Sequence, residues 1–152
     1  MYLSKIYIKN FRGIRDLYVE FDKKLNVIIG ANGQLKTALI DAIRLFYTWG
    51  EPNRDLEITR EDFHVETRQR EDGGVEVVQA TQIDILYLFE GLSTDQQGAF
   101  YQYLEVKGDG SIVARVHLTY ELKEKGRIWC SYTTGKEENG IKADWDTLKF
   151  FH

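Results

Sequence analysis

The residues best suited to chemistry lie in one short stretch, residues 30–37, which reads Gly-Ala-Asn-Gly-Gln-Leu-Lys-Thr. Gly30, Lys36 and Thr37 match the P-loop pattern of a glycine, four residues, a glycine, a lysine and a serine or threonine. Backbone N–H groups of such a loop bind phosphate oxygens, and the helix that follows adds the positive end of its dipole. We expect Lys36 to reach the β- and γ-phosphates of ATP and the Thr37 hydroxyl to ligate Mg²⁺. The loop residues predicted to bind ATP are Gly30, Asn32, Gly33, Lys36 and Thr37.

One position departs from this pattern, because Leu35 stands where a glycine is expected before the lysine. Glycine lets the backbone approach the phosphates and adopt torsion angles that a branched side chain resists. A leucine at this position either crowds the nucleotide or reshapes the loop. Two interpretations stay open: a phosphate site that tolerates Leu35, and a P-loop that has lost tight nucleotide binding.

The elements on either side of the loop are those that a P-loop needs. Residues 25–29 are a nearly continuous apolar run, which predicts a strand buried on both faces of a sheet. Residues 37–49 predict a helix that ends before Gly50 and Pro52. The apolar face predicted for this helix consists of Leu39, Ile40, Ile43 and Tyr47.

The remainder of the chain predicts mostly antiparallel strands. Residues 3–11 and 16–21 alternate apolar and polar side chains around a turn at residues 10–13, which predicts a hairpin. Residues 51–74 are polar and predict a surface excursion with one turn near residues 59–62. The later predictions are strand-like residues 75–90, a helix over 93–105, and strands over 111–122 and 127–133.

Together these elements predict an α+β fold, the first lobe of a P-loop NTPase. It comprises an N-terminal hairpin, the P-loop strand and helix, and an added antiparallel sheet. We expect residues 1–152 to be one unit, with the hairpin and P-loop core in 1–50 and the antiparallel strands with one helix in 75–134. The apolar residues near the last position predict a fragment whose partner surface lies elsewhere; they are Trp145, Leu148, Phe150 and Phe151.

Composition limits the classes of function. The chain has 152 residues, of which 43% are hydrophobic, so it can bury a core. The net charge of -4 disfavours a domain that mainly grips nucleic-acid phosphates. Cys130 is the sole cysteine, which excludes an internal disulfide and predicts a buried or half-buried thiol in a reducing compartment. Without a secretory signal or a membrane-length apolar run, we expect a cytoplasmic protein that does not contact a membrane.

Several of these segments resemble one family. Residues 5–14, 25–30, 32–33, 36–37 and 39–43 look like the N-terminal region of ABC-type ATPases of the RecF, SMC and OLD group. The later run Arg60-Glu61-Asp62-Phe63-His64 is similar to a segment of OLD-family nucleases, so the sequence is closest to OLD-family proteins with an AAA-type ATP-binding domain.

The resemblance implies more than the residues show alone. It implies ATP bound between two ATPase heads, and therefore a homodimer of heads in a full-length protein acting in DNA repair, chromosome maintenance or phage defence. It implies a further C-terminal lobe or nuclease domain as a partner, with DNA contacted through the rest of the protein. It also places Arg12 beside the nucleotide, although a solvated hairpin arginine is the alternative interpretation.

Two segments superficially match later motifs of this family. Leu92-Ser93-Thr94-Asp95-Gln96 is similar to the signature motif, but Ser93 with Gln96 also forms a helix capping box, which explains it better. Residues 85–90 are similar to a Walker B strand, but Phe89 stands where the Mg²⁺-binding aspartate belongs, so an ordinary buried strand is favoured.

A separate metal site has weak support. Asp62, His64 and Glu66 alternate and could share one strand face, but a charged surface segment is the commoner explanation. No catalytic residue is assigned within the chain.

The leading hypothesis is therefore the ATP-binding N-terminal part of an OLD- or RecF-like ATPase. The expected machinery is incomplete, and we expect no turnover from this chain alone. The alternative is a non-enzymatic interaction module with a vestigial P-loop, which Leu35 favours. A third hypothesis, direct DNA binding, is disfavoured by the acidic charge.

Overall fold

The centre of the protein is one antiparallel sheet, described here from a computed structural model that covers residues 1–30, 34–48, 56–70, 72–101, 104–134 and 140–143. Its strands are β1 (Tyr2–Phe11), β2 (Ile14–Glu20), β5 (Gln82–Glu90), β6 (Leu104–Val106), β7 (Ile112–Leu122), β8 (Ile128–Thr134) and β9 (Ile141–Lys142). They follow the order β2-β1-β5-β7-β8-β9, and β6 also pairs with β7. A separate two-stranded sheet pairs β3 (Val65–Gln69) with β4 (Val75–Gln79). The predicted α+β class is confirmed, and the antiparallel sheet dominates it.

Alternation of side chains explains the main sheet. The inward residues of β5 are at most 1% exposed, and most inward residues of β7 are also buried. The opposite face of both strands carries polar and half-exposed side chains. The predicted hairpin and the predicted strands over 111–122 and 127–133 are therefore confirmed, with bounds shifted by one to two residues.

Helix α1 (Gln34–Tyr47) covers the inner face of this sheet. Phe46 is 1% exposed and its ring centroid lies 5.0 Å from that of Tyr87 and 5.2 Å from that of Phe89. The buried Tyr87 hydroxyl donates a hydrogen bond of 2.6 Å to the Ala42 carbonyl oxygen. These contacts hold α1 against the sheet, and so position the helix that carries Lys36 and Thr37 in its first turn.

The predicted helix is confirmed, but its buried face is rotated from the predicted one. Ile40 is 48% exposed and Tyr47 is exposed as well. The buried stripe runs instead through Ala38, Leu39, Ala42, Leu45 and Phe46. Small side chains at Ala38 and Ala42 allow a close approach to the sheet, which a ranking by hydrophobicity alone does not reveal. Neither α1 nor the short α2 (Thr94–Ala99) is long and apolar enough to cross a membrane, and the same holds for all described helices.

The buried strand predicted over residues 25–29 is wrong. These residues form no strand, and Leu25, Val27 and Ile29 are 78%, 72% and 89% exposed. A strand needs neighbours that satisfy its backbone N–H and C=O groups. No described strand pairs with this segment, so its apolar composition alone does not make it a strand. The turn before it is ordered by Asp22 and Asn26, which exchange hydrogen bonds of 2.7 and 2.8 Å.

Two other predictions need correction. Residues 51–74 contain the predicted single turn, at Arg60–Asp62, but also strand β3, which pairs with β4. The helix predicted over 93–105 ends at Ala99, and β6 begins at Leu104 and pairs with β7. Gly98 weakens the helix, and pairing with an existing sheet outweighs the local helical pattern. Trp145, Leu148, Phe150 and Phe151 lie outside the described residues.

The outer face of the main sheet carries one compact polar cluster around Asp84. Its carboxylate accepts hydrogen bonds from Gln82 at 2.9 Å and Thr119 at 3.2 Å, and lies 3.3 Å from His117 Nε2. Burial raises the pKa of Asp84, but hydrogen bonds from His117, Gln82 and Thr119 outweigh that effect, so its pKa lies below the usual value.

Asp84 is therefore expected to stabilise the fold in a pH-dependent way. A carboxyl with a depressed pKa stabilises the folded state above its unfolded pKa of about 3.9, and this contribution is lost as pH falls through the folded value. Asp84→Asn should lower the melting temperature at neutral pH, and the difference should shrink as the pH falls below about 4. Asp16→Asn, on the same sheet face, is the control. A difference that stays constant with pH would contradict this prediction.

Candidate nucleotide-binding site

The N-terminus of α1 brings together three of the predicted site residues. The helix begins at Gln34, and Lys36 and Thr37 lie in its first turn. The Lys36 ammonium folds back and donates a hydrogen bond to the Gly30 carbonyl oxygen. Among the residues that the structure describes, a β-carbon added at Gly30 would meet only Lys36 Cδ at 3.8 Å, so no contact with them requires a glycine there. Asn32 and Gly33 lie outside the described residues, and their role stays a prediction.

Leu35 lies in the helix and not in the loop. Its backbone is helical, a conformation that does not need glycine, and its side chain is 56% exposed. Helix α1 therefore starts earlier than the predicted position near Lys36. A leucine is therefore compatible with this backbone.

Arg12 occupies the turn between β1 and β2 in an uncommon conformation. Its φ of 51° is left-handed, which costs a residue other than glycine about 1–2 kcal/mol. The guanidinium carbon lies 5.0 Å from the Phe11 ring centroid. Nη1 lies 2.5 Å from Asp41 Oδ2 on α1, and Nε lies 2.7 Å from Asp62 Oδ1. Contacts from two distant segments thus hold a strained residue in place.

The second of these segments is residues 56–64, which we call the strap. Leu56, Ile58 and Phe63 anchor it in the core. Its backbone bonds to the hairpin turn: the Arg12 N–H donates to the Asp62 carbonyl oxygen at 2.7 Å, and the His64 N–H donates to the Asn10 carbonyl oxygen at 2.9 Å. The strap therefore ties the β1–β2 turn to the region of α1.

His64 adds a further bond between strap and turn. Its Nδ1 lies 2.7 Å from the Arg12 carbonyl oxygen. Because a carbonyl oxygen only accepts, Nδ1 must carry the proton. In the neutral ring, Nε2 is then an acceptor.

An open cavity of about 780 Å³ lies between the turn, the strap and the start of α1. Its lining includes Arg12, Gly13, Thr37, Asp62 and His64. Thr37 and Arg12 therefore line the same cavity. The first was predicted to bind Mg²⁺ and the second was placed beside the nucleotide by the family resemblance. The cavity is large enough for a ligand of small-molecule size.

The charged groups around Arg12 nearly cancel, and Glu61 adds a further carboxylate to the cavity lining. Burial lowers the pKa of Arg12, but hydrogen bonds to Asp62 and Asp41 outweigh it and raise its pKa, so the guanidinium stays charged. Asp41 Oδ1 also lies 3.3 Å from Arg44 Nη1. Two arginines thus face two carboxylates. A ligand in this cavity would therefore meet oriented N–H groups of Arg12, but no net positive charge.

Sequence reasoning missed Asp41 as a site residue. Within α1 it looks like an ordinary polar helix position, yet it is 8% exposed and paired with Arg12. The available signal was an acidic residue within the apolar run of residues 39–43, since a charge that becomes buried needs a partner.

The residues considered for a separate metal site have other partners. Asp62 binds Arg12, and His64 binds the Arg12 carbonyl oxygen. Glu66 lies 3.4 Å from Arg15 and also pairs with Arg68. Among the described residues, no group of three or more histidine, cysteine, aspartate or glutamate side chains is arranged to hold a metal ion.

The two motif look-alikes are structural. Ser93 Oγ accepts from the Gln96 N–H at 3.3 Å, and Gln96 Oε1 accepts from the Ser93 N–H at 2.9 Å, which is the predicted capping box. Phe89 is 1% exposed in strand β5, as predicted for an ordinary buried strand. Cys130 is half-buried, as predicted.

Comparison with known proteins identifies the family of the chain. The sequence profile of the AAA ATPase domain family matches residues 1–148. The chain belongs to the AAA ATPase domain family. Membership of an AAA ATPase domain family implies nucleotide binding.

Individual relatives match over shorter stretches of this AAA ATPase domain. The chain is 39% identical over 62 residues to the DNA replication and repair protein RecF of Halothermothrix orenii, covering 40% of the chain and 16% of that protein. It is 51% identical over 43 residues to RecF of Bacillus cytotoxicus, covering 28% of the chain and 12% of that protein. RecF of Acetivibrio thermocellus is 47% identical over 45 residues, or 30% of the chain and 12% of that protein. The predicted resemblance to a RecF-like ATPase segment is confirmed, and the matched stretches span at most 16% of these relatives.

Proposed function

We propose that this chain is the ATP-binding part of a RecF-like ATPase that acts in DNA metabolism. The observation that carries the proposal is the cavity shared by Thr37, at the start of α1, and Arg12, in the β1–β2 turn. Lys36 lies on the same first turn of the helix. In this proposal the phosphates lie at the N-terminus of α1, where free N–H groups and the helix dipole favour negative charge.

Each proposed ligand-binding residue has a distinct task. The Lys36 ammonium exchanges its hydrogen bond with Gly30 for the β- and γ-phosphates. Thr37 is exposed in the first helical turn, and its hydroxyl oxygen suits Mg²⁺, which keeps several waters and needs few protein ligands. When bound, Mg²⁺ neutralises phosphate charge. Arg12 presents N–H groups to the nucleotide from the other side of the cavity.

The proposal extends to a longer protein. In-line phosphoryl transfer to water relies on positioning and on charge stabilisation. The groups proposed here supply a phosphate cradle and a Mg²⁺ ligand, and none of them activates water. We therefore expect turnover only when another lobe supplies that group, in a dimer of heads that contacts DNA. A narrower assignment, to OLD-type proteins in phage defence, is supported by the strap sequence Arg60–His64 alone.

A second candidate function is a non-enzymatic interaction module. The observation in its favour is that five apolar side chains are exposed: Leu25, Val27, Ile29, Leu35 and Ile40. Exposed apolar side chains that lie together are typical of a surface that a partner or another lobe covers. Lys36 and Thr37 disfavour this candidate, because a loop that no longer binds phosphate does not need a lysine and a threonine at these positions.

Calorimetry with Mg-ATP separates the two functions. We expect the unaltered chain to bind, and Leu35→Gly and Leu35→Ala to test what Leu35 does. Leu35→Ala removes the isobutyl group but keeps the helical backbone, whereas Leu35→Gly also frees the backbone at a helix cost of about 1 kcal/mol. If both variants bind more tightly, the side chain crowds the nucleotide. If Leu35→Gly alone gains affinity, the backbone conformation is the restriction.

Failure to bind in all three proteins would contradict ATP binding by this chain and favour the interaction module. ATP hydrolysis by the pure chain, lost in Lys36→Ala, would instead contradict the incomplete machinery.

A further inference from the structure

Both oxygens of the Asp62 carboxylate accept hydrogen bonds, each from a different residue. Oδ2 accepts hydrogen bonds from the Thr59 N–H at 2.8 Å and the Thr59 hydroxyl at 3.1 Å. Oδ1 accepts from Arg12 Nε at 2.7 Å. The residue is 8% exposed. Thr59 therefore fixes Oδ2, and Oδ1 in turn holds the Arg12 side chain.

Arg12 is held at four points by these surroundings. Its N–H and its carbonyl oxygen both bond to the strap, through Asp62 and His64. Its Nε and Nη1 bond to Asp62 and Asp41. A guanidinium is planar, so fixing two of its nitrogens also fixes the direction of the third. Among the described residues, Nη2 has no hydrogen-bond partner, and Arg12 lines the cavity with Thr37.

We infer that Asp62 is a positioning residue, which with Asp41 aims the free Nη2 of Arg12 at a nucleotide phosphate in this cavity. The inference rests on the proposed function. The strap would then belong to the nucleotide site through Arg12, without touching the nucleotide itself. Preorganised donors of this kind lose little entropy when the ligand binds.

An opposite role for Asp62 makes an opposite prediction. Arg12, Asp41 and Asp62 together carry a net negative charge, so Asp62 could simply compete with a phosphate for the guanidinium. Removing its charge would then strengthen nucleotide binding. If Asp62 positions Arg12, the same change weakens binding, because orientation is lost although the charge becomes more favourable.

Asp62→Asn is the informative substitution. Asparagine has one acceptor oxygen where aspartate has two, so it cannot serve both Thr59 and Arg12. If the oxygen keeps the Thr59 cap, the amide NH₂ faces Arg12 and repels its N–H. Leu56, Ile58 and Phe63 still anchor the strap in the core, so the fold is expected to persist. Two controls isolate the effect: Thr59→Ala removes only the hydroxyl contact to Asp62, and Asp84→Asn makes the same change at a hydrogen-bonded aspartate on the outer sheet face.

The measurements are Mg-ATP affinity by calorimetry and the Arg12 Nε–H signal by heteronuclear NMR, on the full chain. We expect Asp62→Asn to weaken binding about fivefold to twentyfold, in line with the loss of one charge-assisted hydrogen bond. The Arg12 Nε–H signal should shift and exchange faster with water, and both controls should bind like the unaltered chain.

The possible results separate the two hypotheses. Unchanged or tighter binding in Asp62→Asn would overturn the positioning role and leave ATP binding intact. An equal loss in Thr59→Ala would also overturn it, since the strap cap would then explain the effect. If the unaltered chain does not bind Mg-ATP, the proposed function fails and the inference fails with it.

Discussion

Phe46→Ala is expected to lower the free energy of unfolding by about 3–5 kcal/mol, the cost typical of removing a buried phenylalanine. Phe46 is 1% exposed and its ring contacts those of Tyr87 and Phe89. These contacts join α1 to the centre of the sheet. Alanine would leave a cavity there that the strands cannot collapse to fill, because their spacing is fixed by backbone hydrogen bonds.

Urea denaturation followed by circular dichroism measures this change. Ile40→Ala is the control on the same helix, since Ile40 is 48% exposed and its truncation should cost well below 1 kcal/mol. A loss in Phe46→Ala no larger than that of Ile40→Ala would mean that α1 does not pack on the sheet as described. Since Lys36 and Thr37 lie on α1, the nucleotide site would then also lack its support.

The strands of the main sheet could be predicted because each has one buried face. In β5 and β7 the inward side chains are apolar and the outward ones mostly polar, so a period of two residues is visible in the sequence. Strand β3 lacks this signal. All but one of its residues are exposed, so neither face needs to be apolar, and Val65–Gln69 looks like a polar loop.

Residues 25–29 show the converse limit. Their apolar composition is suited to a strand, but it does not indicate which segment would pair with them. Backbone pairing depends on neighbours that are distant in the sequence, and no described strand pairs with this segment. An apolar run therefore predicts a strand only where the segment that would pair with it can also be identified.

The site was predictable where chemistry is local, and not where it depends on tertiary contacts. Lys36 and Thr37 follow from spacing along the chain, and resemblance implied Arg12. The Asp41 and Asp62 contacts of Arg12 join residues 29 and 50 positions apart, a separation that no periodic pattern records. The family resemblance includes Asp62 but does not indicate its role. The left-handed backbone of Arg12 has no signal in the sequence.

The largest functional effect is expected from Lys36→Ala, which should weaken Mg-ATP binding about a hundredfold. Loss of a charge-assisted contact to phosphate costs up to about 3 kcal/mol, and each 1.4 kcal/mol is about tenfold in affinity. The ammonium lies in the first turn of α1, so few other groups can replace it. Its only described hydrogen bond, to the Gly30 carbonyl oxygen, involves no buried partner, and its removal should leave the fold unchanged.

The choice of nucleotide makes this prediction specific to the proposed role. AMP lacks the β- and γ-phosphates, so any affinity for AMP should be nearly equal in Lys36→Ala and the unaltered chain. Lys24→Ala, at an exposed lysine of the turn that precedes residues 25–30, controls for the loss of one positive charge. An equal loss for ATP in Lys24→Ala would mean that general electrostatic attraction, and not a contact from Lys36, holds the phosphates. Unchanged ATP binding in Lys36→Ala would place the nucleotide away from the start of α1, and neither Thr37 nor Arg12 could then keep its proposed task.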